Sequence, residues 1–216
     1  MKLYGYWRSS AAYRVRIALN LKQLSAEQIS VHLVKNGGEQ HSQVYDRLNP
    51  QHLVPTLLDE GQEDELNLSQ SLAIIEYLEE KYPQEALLPS NIKHRAIVRS
   101  MAQAIACEIH PLDNLRVLQY LVNDMGVSEA DKMRWYHHWI IVGFTALEAQ
   151  LSQYSGRYCF GDTPTLADIC LVPQVYNAKR FNVPLDDFPN IVRIDQTCNQ
   201  LAPFVDAAPE RQHDAS

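Results

Sequence analysis

Cysteine is scarce in this 216-residue sequence: there are four, Cys107, Cys159, Cys170 and Cys198, and they are widely spaced with no CxxC pair. In a chain of this length they do not make a disulfide framework, and they form no Cys/His cluster of the kind that holds zinc. Cys170 lies in the apolar stretch ADICLVPQV and is expected to be a small core residue. Neither a metal site nor a catalytic protein thiol is therefore expected.

The sequence also lacks a basic excess. It has 19 lysines and arginines against 26 acidic residues, a formal net charge of −7 at pH 7. Phosphate backbones are bound by basic faces, so nucleic acid is not expected to be the main partner. A local basic pocket could still attract a small anion.

No segment is long and apolar enough to span a membrane, and the start MKLYGYW lacks the apolar core of a secretory signal. The sequence therefore predicts a cytoplasmic protein with no membrane partner. No internal repeat or low-complexity segment is present.

The first ninety residues alternate between strand-like and helix-like patterns. KLYGY and QISVHLV predict strands, and VPTLLDEG with DELNLS predicts a hairpin. Helices are predicted at 10–22, in SQVYDRL and at 70–82, where apolar residues recur at helical spacing. The resulting order, β-α-β-α-β-β-α, is that of a thioredoxin-like α/β domain.

A boundary follows at Tyr82-Pro83, because a helix usually ends before proline, and the strand pattern then disappears. We expect a thioredoxin-like domain at 1–83, a linker at 84–90 and an all-helical domain at 91–216. Long helices are predicted at 91–124, interrupted at His110-Pro111, and at 128–154. Later helices are predicted in PTLADICLVPQVYNAKRF and PNIVRIDQTCNQL, and the polar tail PERQHDAS is expected to fray.

The stretch WRSSAAYRVRIALN places Ser9 and Ser10 at the start of a helix, beside Arg8. A helix N-terminus and nearby positive charge lower the pKa of a thiol, and a hydroxyl can donate a hydrogen bond to the thiolate. The sequence has no cysteine or histidine at this place, so the thiol would have to come from a bound molecule. Helix capping alone is the simpler interpretation, although it does not account for Arg8.

Pro55, in QHLVPTL, stands at the very start of a predicted strand, where proline cannot donate to the sheet. A cis Val54-Pro55 bond would turn the Val54 N–H and C=O outward, toward an extended ligand backbone. An ordinary trans proline opening an edge strand is the alternative, and it is the commoner arrangement.

Gln70 and Ser71 lie at the junction between a predicted strand and the next helix. The free N–H groups of a helix N-terminus bind carboxylates, and a hydroxyl and an amide would add donors. Capping of the helix by Ser69 or Ser71 explains the same residues without a ligand.

Over nearly its whole length the sequence resembles the glutathione transferase superfamily, most closely the zeta class. The similar stretches are SSAAYRVRIALNLK, NPQHLVPTL, LSQSLAIIEYLEEKYP, LLPS, HPLDNLRVL and GDTPTLADICLVPQVYNAKRF. The zeta pattern usually has a cysteine after the two serines, whereas this chain has Ala11. The resemblance implies the glutathione transferase fold, in which a thioredoxin-like domain precedes an all-α domain, and it implies glutathione as cofactor.

The resemblance also implies roles for particular residues. Ser9 matches the serine that stabilises the glutathione thiolate, and Arg8 and Arg180 are candidates for binding substrate carboxylates. The implied glutathione contacts are Ser9, Ser10, Ala11, Arg14, Gln40, Val54, Pro55, Gln70, Ser71, His110, Asn114, Leu115 and Arg116. Arg14 shares a helix face with Ser10 and Arg16 does not, so only one of the two arginines can face this site.

The activity implied by the resemblance is glutathione-dependent cis–trans isomerisation of maleylacetoacetate, a small dicarboxylate, in tyrosine and phenylalanine catabolism, by a homodimer without a metal. Maleylpyruvate, in gentisate catabolism, is the alternative substrate: the related bacterial isomerases tend to have arginine where this chain has Leu115, yet Arg116 follows directly. A non-catalytic glutathione-transferase-like binding protein is a third interpretation. A general transferase or peroxidase activity is expected only as a side activity.

Overall fold

The computed structural model describes residues 1–61 and 65–215. Asp64, the first residue of the second predicted hairpin strand, lies outside the described residues. The chain divides into two compact units: Met1–Leu87 with Gln200–Ser216 form the N-terminal unit, and Leu88–Asn199 form the helical unit.

The N-terminal unit is built on a four-stranded mixed sheet in the order β2-β1-β3-β4. Its strands are β1 (Lys2–Gly5), β2 (Glu27–Ser30), β3 (Thr56–Glu60) and β4 (Glu65–Ser69). β1 pairs in parallel with β2 and antiparallel with β3, and β3 and β4 form the predicted hairpin. Parallel pairing needs a crossover, which α1 (Ser10–Leu21) provides.

β2 is shorter than the pattern QISVHLV predicts, because it ends at Ser30. The His32 ring explains the early end. Its Nδ1 accepts hydrogen bonds from the backbone N–H groups of Val34 and Lys35, at 3.2 and 2.9 Å. These donors are therefore used in a local turn instead of a strand ladder.

The remaining helices of this unit are α2 (Gln43–Leu48) and α3 (Ser71–Lys81). α3 and α1 pack against each other, and Val15, Ile17, Leu57, Ile74 and Leu78 are fully buried in the core between helices and sheet. The order β-α-β-α-β-β-α and the thioredoxin-like fold are thereby confirmed.

The C-terminal tail contributes a short α9 (Ala202–Val205), which contacts α1, and a 3-10 turn, Pro209–Arg211. The expectation that this polar tail frays is wrong for the residues up to 215, since Asp214 and Gln212 both form hydrogen bonds. The helical unit accordingly ends at Asn199, whereas the sequence assigned all of 91–216 to one domain.

The helical unit consists of helices whose bounds are α4 (Ile92–Gln103), α5 (Leu115–Asn123), α6 (Glu129–Tyr154), α7 (Leu166–Arg180) and α8 (Pro189–Cys198). Pro111 interrupts the first predicted helix as expected: α4 passes into a π-helical stretch, Ala104–Ile109, and a 3-10 turn, His110–Asp113, before α5 begins. A capping box of Thr165 and Asp168 starts α7.

None of the helices within residues 1–61 and 65–215 has the length and apolar character needed to cross a membrane. In the same residues no group of three or more His, Cys, Asp or Glu side chains is arranged to hold a metal ion.

Candidate active site

Ser9 is the N-cap of α1, and its Oγ accepts a hydrogen bond from the Ala12 backbone N–H at 3.2 Å. The Ser9 N–H donates to the Tyr6 carbonyl at 2.9 Å, which fixes the loop before the helix. A hydroxyl that accepts in this way keeps its own O–H for donation. Capping and thiolate stabilisation, the two interpretations of this serine, are therefore compatible in one side chain.

Arg8 is held beside this loop by its aromatic neighbours. Its guanidinium carbon lies 4.4 Å from the centroid of the Trp7 ring, and Nε and Nη2 donate to the Tyr6 hydroxyl at 3.2 and 2.9 Å. Stacking on an aromatic face and a doubly contacted hydroxyl restrict where this cation can point. The cation of the residue before Ser9 is thus held against Tyr6 and Trp7.

Arg14 connects the starts of α1 and α3. It is only 2% exposed, and its Nη1 donates to Ser71 Oγ at 3.2 Å. Arg16 points elsewhere and donates to the Ala207 carbonyl, as the helical spacing predicted. A buried guanidinium beside two helix N-termini makes this part of the unit favourable for an anion.

Gln70 adopts an unusual backbone conformation at the start of α3. Its φ is +73°, in the left-handed region that residues other than glycine rarely adopt, and its Nε2 donates to Gln51 Oε1 at 2.9 Å. Gln70 is the N-cap residue without a side-chain capping bond, and Ser71 Oγ accepts from Arg14 instead. Capping by Ser71 is therefore not what this serine does, and strained residues of this kind cluster at ligand sites.

The Val54-Pro55 peptide bond is cis, so the alternative of an ordinary trans proline is wrong. The loop is held at the preceding residue: the Leu53 carbonyl accepts from the Tyr45 hydroxyl at 2.6 Å and from Asn49 Nδ2 at 2.8 Å. Among the hydrogen bonds of the described residues, none uses the Val54 N–H or C=O. These two groups can therefore pair with an extended peptide, as in β-strand addition.

We expect Tyr45→Phe to weaken glutathione binding about fivefold, because it removes one hydrogen bond, worth roughly 1 kcal/mol, from the Leu53 carbonyl. The neighbouring Val54 N–H and C=O would then be held less firmly for pairing with the ligand. Burial raises the pKa of Tyr45, so the hydroxyl stays protonated and available as a donor. Calorimetric titration with glutathione measures the effect. Tyr120→Phe, at an exposed position of α5, is the matched control, and equal Kd values for the two variants would contradict the assignment.

Gln40 is buried in the loop that follows β2. Its Nε2 donates to the Leu33 carbonyl at 3.4 Å, whereas its Oε1 is buried and has no hydrogen-bond partner within 1–61 and 65–215. A buried acceptor of this kind costs free energy unless a donor reaches it. The same loop places His41 Nδ1 3.1 Å from His52 Nδ1, and His52 Nε2 3.0 Å from Asp46.

The helical unit contains the remaining candidate residues. Asn114 is the N-cap of α5, where its side-chain oxygen accepts from the Arg116 N–H at 3.1 Å, and His110 opens the preceding 3-10 turn. The side chains of Leu115 and Arg116 are exposed. Arg180, also exposed, stacks on Phe181 with 4.8 Å between guanidinium carbon and ring centroid.

Three residues of the two units were missed at the sequence level. Tyr45 and Asn49 hold the Leu53 carbonyl, and Asp113 is a carboxylate with 7% exposure beside Asn114. Both Asp113 oxygens are buried without a hydrogen-bond partner among the described residues, and burial raises the pKa of Asp113 to about 8. An Asn-Pro pair reads as a helix stop, which conceals the tertiary role of Asn49.

Within the N-terminal unit these features suit a γ-glutamyl peptide with a central thiol. Gln70 and Ser71 lie at the N-terminus of α3, and the backbone N–H and C=O of Val54 lie next to the cis proline. The Ser9 hydroxyl lies at the N-terminus of α1, directly after Arg8 in the sequence. The orphaned Gln40 oxygen adds an acceptor for a ligand N–H. The residues present therefore fit glutathione.

Comparisons with known proteins identify the family of this chain. The family model for the glutathione S-transferase N-terminal domain matches residues 3–86, and the model for the C-terminal domain matches residues 143–194. A relative from Vibrio cholerae, named probable maleylacetoacetate isomerase, is 53% identical over 213 residues, which cover 99% of this chain and 97% of that protein.

Solved structures show the same likeness. One, described as the holo structure of maleyl pyruvate isomerase, a bacterial glutathione S-transferase in zeta class, is 48% identical, covers 100% of both chains and has a TM-score of 0.94. The maleylacetoacetate isomerase of Anaeromyxobacter dehalogenans, with glutathione in its active site, is 41% identical with a TM-score of 0.90, and 100% of this chain and 97% of that one are covered. The chain therefore belongs to the glutathione S-transferase family.

Proposed function

We propose that this protein is a glutathione-dependent cis–trans isomerase that converts maleylacetoacetate to fumarylacetoacetate in tyrosine and phenylalanine catabolism. The observation that carries the proposal is Ser9 as the N-cap of α1, directly after the aromatic-bound cation of Arg8 in the sequence and on the same helix as the buried cation of Arg14. This is a site for an anionic sulfur that the chain itself does not supply.

When bound, glutathione would supply a thiolate for addition to the cis double bond of a maleyl group; the bond would become single and free to rotate, and expulsion of the thiolate would restore a trans double bond. Ser9 donates its O–H to the anionic sulfur, and the α1 dipole with Arg8 keeps the sulfur ionised at neutral pH. Val54 aligns the peptide backbone through its N–H and C=O, and Ser71 with Gln70 holds the γ-glutamyl carboxylate. No step in this scheme requires a metal.

The substrate's own carboxylates need cationic partners, and we assign Arg8 and Arg180 to them. The fork of a guanidinium matches a carboxylate with two parallel N–H donors. Both side chains stack on aromatic rings, Arg8 on Trp7 and Arg180 on Phe181, so both guanidinium groups are already oriented. Pre-oriented donors lose less conformational entropy when they bind.

Maleylpyruvate is the second candidate substrate. The position after Asn114 is Leu115, 37% exposed, and the adjacent Arg116 offers a cation of its own. Leucine at this place supports maleylacetoacetate, since it presents no additional charge to the shorter keto acid. Both substrate names occur among the solved structures similar to this chain.

Assays of purified protein with both maleyl compounds, with and without glutathione, test the proposal. We expect glutathione-dependent turnover of both, with a higher kcat/KM for maleylacetoacetate. A higher kcat/KM for maleylpyruvate would replace the substrate assignment. If neither compound is isomerised while the protein is retained on immobilised glutathione, the chain is a non-catalytic binding protein. We further propose that the enzyme acts as a cytoplasmic homodimer, which sedimentation and fractionation would test.

A further inference from the structure

One face of α1 is bonded to the C-terminal tail. The Tyr13 hydroxyl, Arg16 Nε and Asn20 Nδ2 donate to backbone carbonyls of Phe204, Ala207 and Pro203, at 3.3, 3.0 and 3.0 Å. The three donors are spaced i, i+3 and i+7, so they lie along one stripe of the helix. The tail is thereby held against the helix that begins at Ser9.

The end of this tail reaches the loop that carries Ser9. Asp214 Oδ2 accepts from the Trp7 backbone N–H at 3.2 Å and from Ser30 Oγ at 2.9 Å. On its other side Trp7 is held as well, because its carbonyl accepts from Arg16 Nη2 at 3.0 Å. Both backbone polar groups of Trp7 are therefore bonded to charged side chains from elsewhere in the unit.

These are charge-assisted bonds, which are stronger than bonds between neutral groups. Arg16 is buried, and burial lowers its pKa to about 10, while the nearby Tyr13 and Asp214 act in the opposite direction. The guanidinium thus stays charged at neutral pH. Because Asp214 and Arg16 both form hydrogen bonds with the Trp7 backbone, a shift of either side chain would move the segment from Trp7 to Ser9.

From this geometry we infer that Asp214 is a positioning residue of the thiol site: it holds the Trp7 N–H and so sets where the Ser9 hydroxyl points. The inference rests on the proposed role of Ser9 toward glutathione. It gives the C-terminal segment, two-hundred residues distant in sequence from the serine, a function in the N-terminal unit.

The direction in which the pKa of the bound thiol shifts distinguishes a positioning role of Asp214 from a purely electrostatic one. A carboxylate opposes a nearby anion, so loss of its charge alone would lower the pKa of the bound thiol. Loss of positioning takes the Ser9 donor away from the sulfur and raises that pKa. Asp214→Ala removes both charge and acceptor, whereas Asp214→Asn removes the charge and keeps an acceptor oxygen for the Trp7 N–H.

For Asp214→Ala we expect the thiolate fraction of bound glutathione below neutral pH, read from its ultraviolet absorbance, to fall about fivefold. In the protein without glutathione, the Trp7 amide should exchange its hydrogen faster. Asp214→Asn should restore both readouts to near the original values. Asp206→Asn, which removes an exposed charge from the same tail, is the control and should change neither.

A thiol pKa that falls or stays constant in Asp214→Ala would overturn the inference, and so would an asparagine variant as impaired as the alanine one. If Asp214→Ala does not fold, Ser30→Ala removes the second bond to the same carboxylate and should shift the thiol pKa upward by a smaller amount; no shift would again overturn it. Neither readout uses a maleyl substrate. An inactive enzyme that still ionises glutathione would therefore refute the proposed isomerase activity and leave this inference standing.

Discussion

Ser9→Ala is expected to lower kcat/KM for the maleyl substrate by about a hundredfold, the usual loss when one preorganised donor to a developing or bound anion is removed. The Ser9 hydroxyl is placed by the cap of α1 and by its N–H bond to Tyr6, so its O–H is held in one place. Without it the thiol pKa rises, and the pH at which activity appears shifts upward. A pH–rate profile with saturating glutathione measures both effects.

Removal of Ser9 also removes a helix cap, which costs about 1 kcal/mol of stability, so the two effects must be separated. Ser9→Asp keeps a capping oxygen but has no O–H and adds a negative charge next to the sulfur. We expect it to recover thermal stability while activity stays low. Recovery of activity in the aspartate variant would show that capping, and not hydrogen-bond donation, is what the reaction needs.

Ala11→Cys is the second comparison, because it restores the residue usual in the zeta pattern. Ala11 is the second residue of α1 and is half-buried. The proposed reaction uses the sulfur of glutathione, so a protein thiol at this place should change the rate far less than Ser9→Ala does. Comparable changes in the two variants would contradict the role given to Ser9.

What the sequence predicted well depended on local signals. The helices were predicted from the spacing of apolar residues, and the break at Pro111 followed from a missing N–H and a steric clash. The assignment of Arg14 and Arg16 to different faces needed only helical geometry, and the contacts of the two arginines agree with it. Such rules act within a few residues along the chain.

What the sequence did not predict depended on distant partners. The end of β2 is set by the His32 ring, which competes for backbone donors that an alternating pattern assigns to a strand. The tail looked mobile from its polar composition, but its backbone carbonyls and one carboxylate bond to α1 and to Trp7. Composition describes side chains, and much of this docking uses the backbone.

The burial of Asp113 was not predicted for a related reason: it comes from neighbouring elements and not from the local sequence. Asp113→Asn is expected to raise the free energy of unfolding at neutral pH by something on the order of 3 kcal/mol. Burial holds the pKa of Asp113 at about 8 in the folded protein, against 3.8 for an exposed aspartate. Each pKa unit between 3.8 and the pH of the measurement corresponds to about 1.4 kcal/mol of unfolding free energy, and relaxation of the site reduces that sum.

The direction of the pH dependence follows from the raised value. Between about pH 4 and pH 8 the folded state retains a proton that the unfolded state has lost, so the contribution of Asp113 to stability is greatest at low pH and declines as pH rises to about 8. The asparagine variant has no such proton and should lose this part of the slope. Denaturant unfolding across that range, on the original protein and the variant, gives the two curves.

The surroundings of Asp113 favour a raised pKa. Burial raises the pKa of Tyr136 on α6, and the Asp113 carboxylate acts in the same direction, while Arg180 acts against it. No described residue donates a hydrogen bond to the Asp113 carboxylate, so no donor offsets the cost of burying its charge. Asp187→Asn, at an exposed aspartate of the same unit, is the matched control for charge loss. Parallel stability curves for the original protein and Asp113→Asn would mean that Asp113 is ionised in the fold, so the burial argument would be wrong.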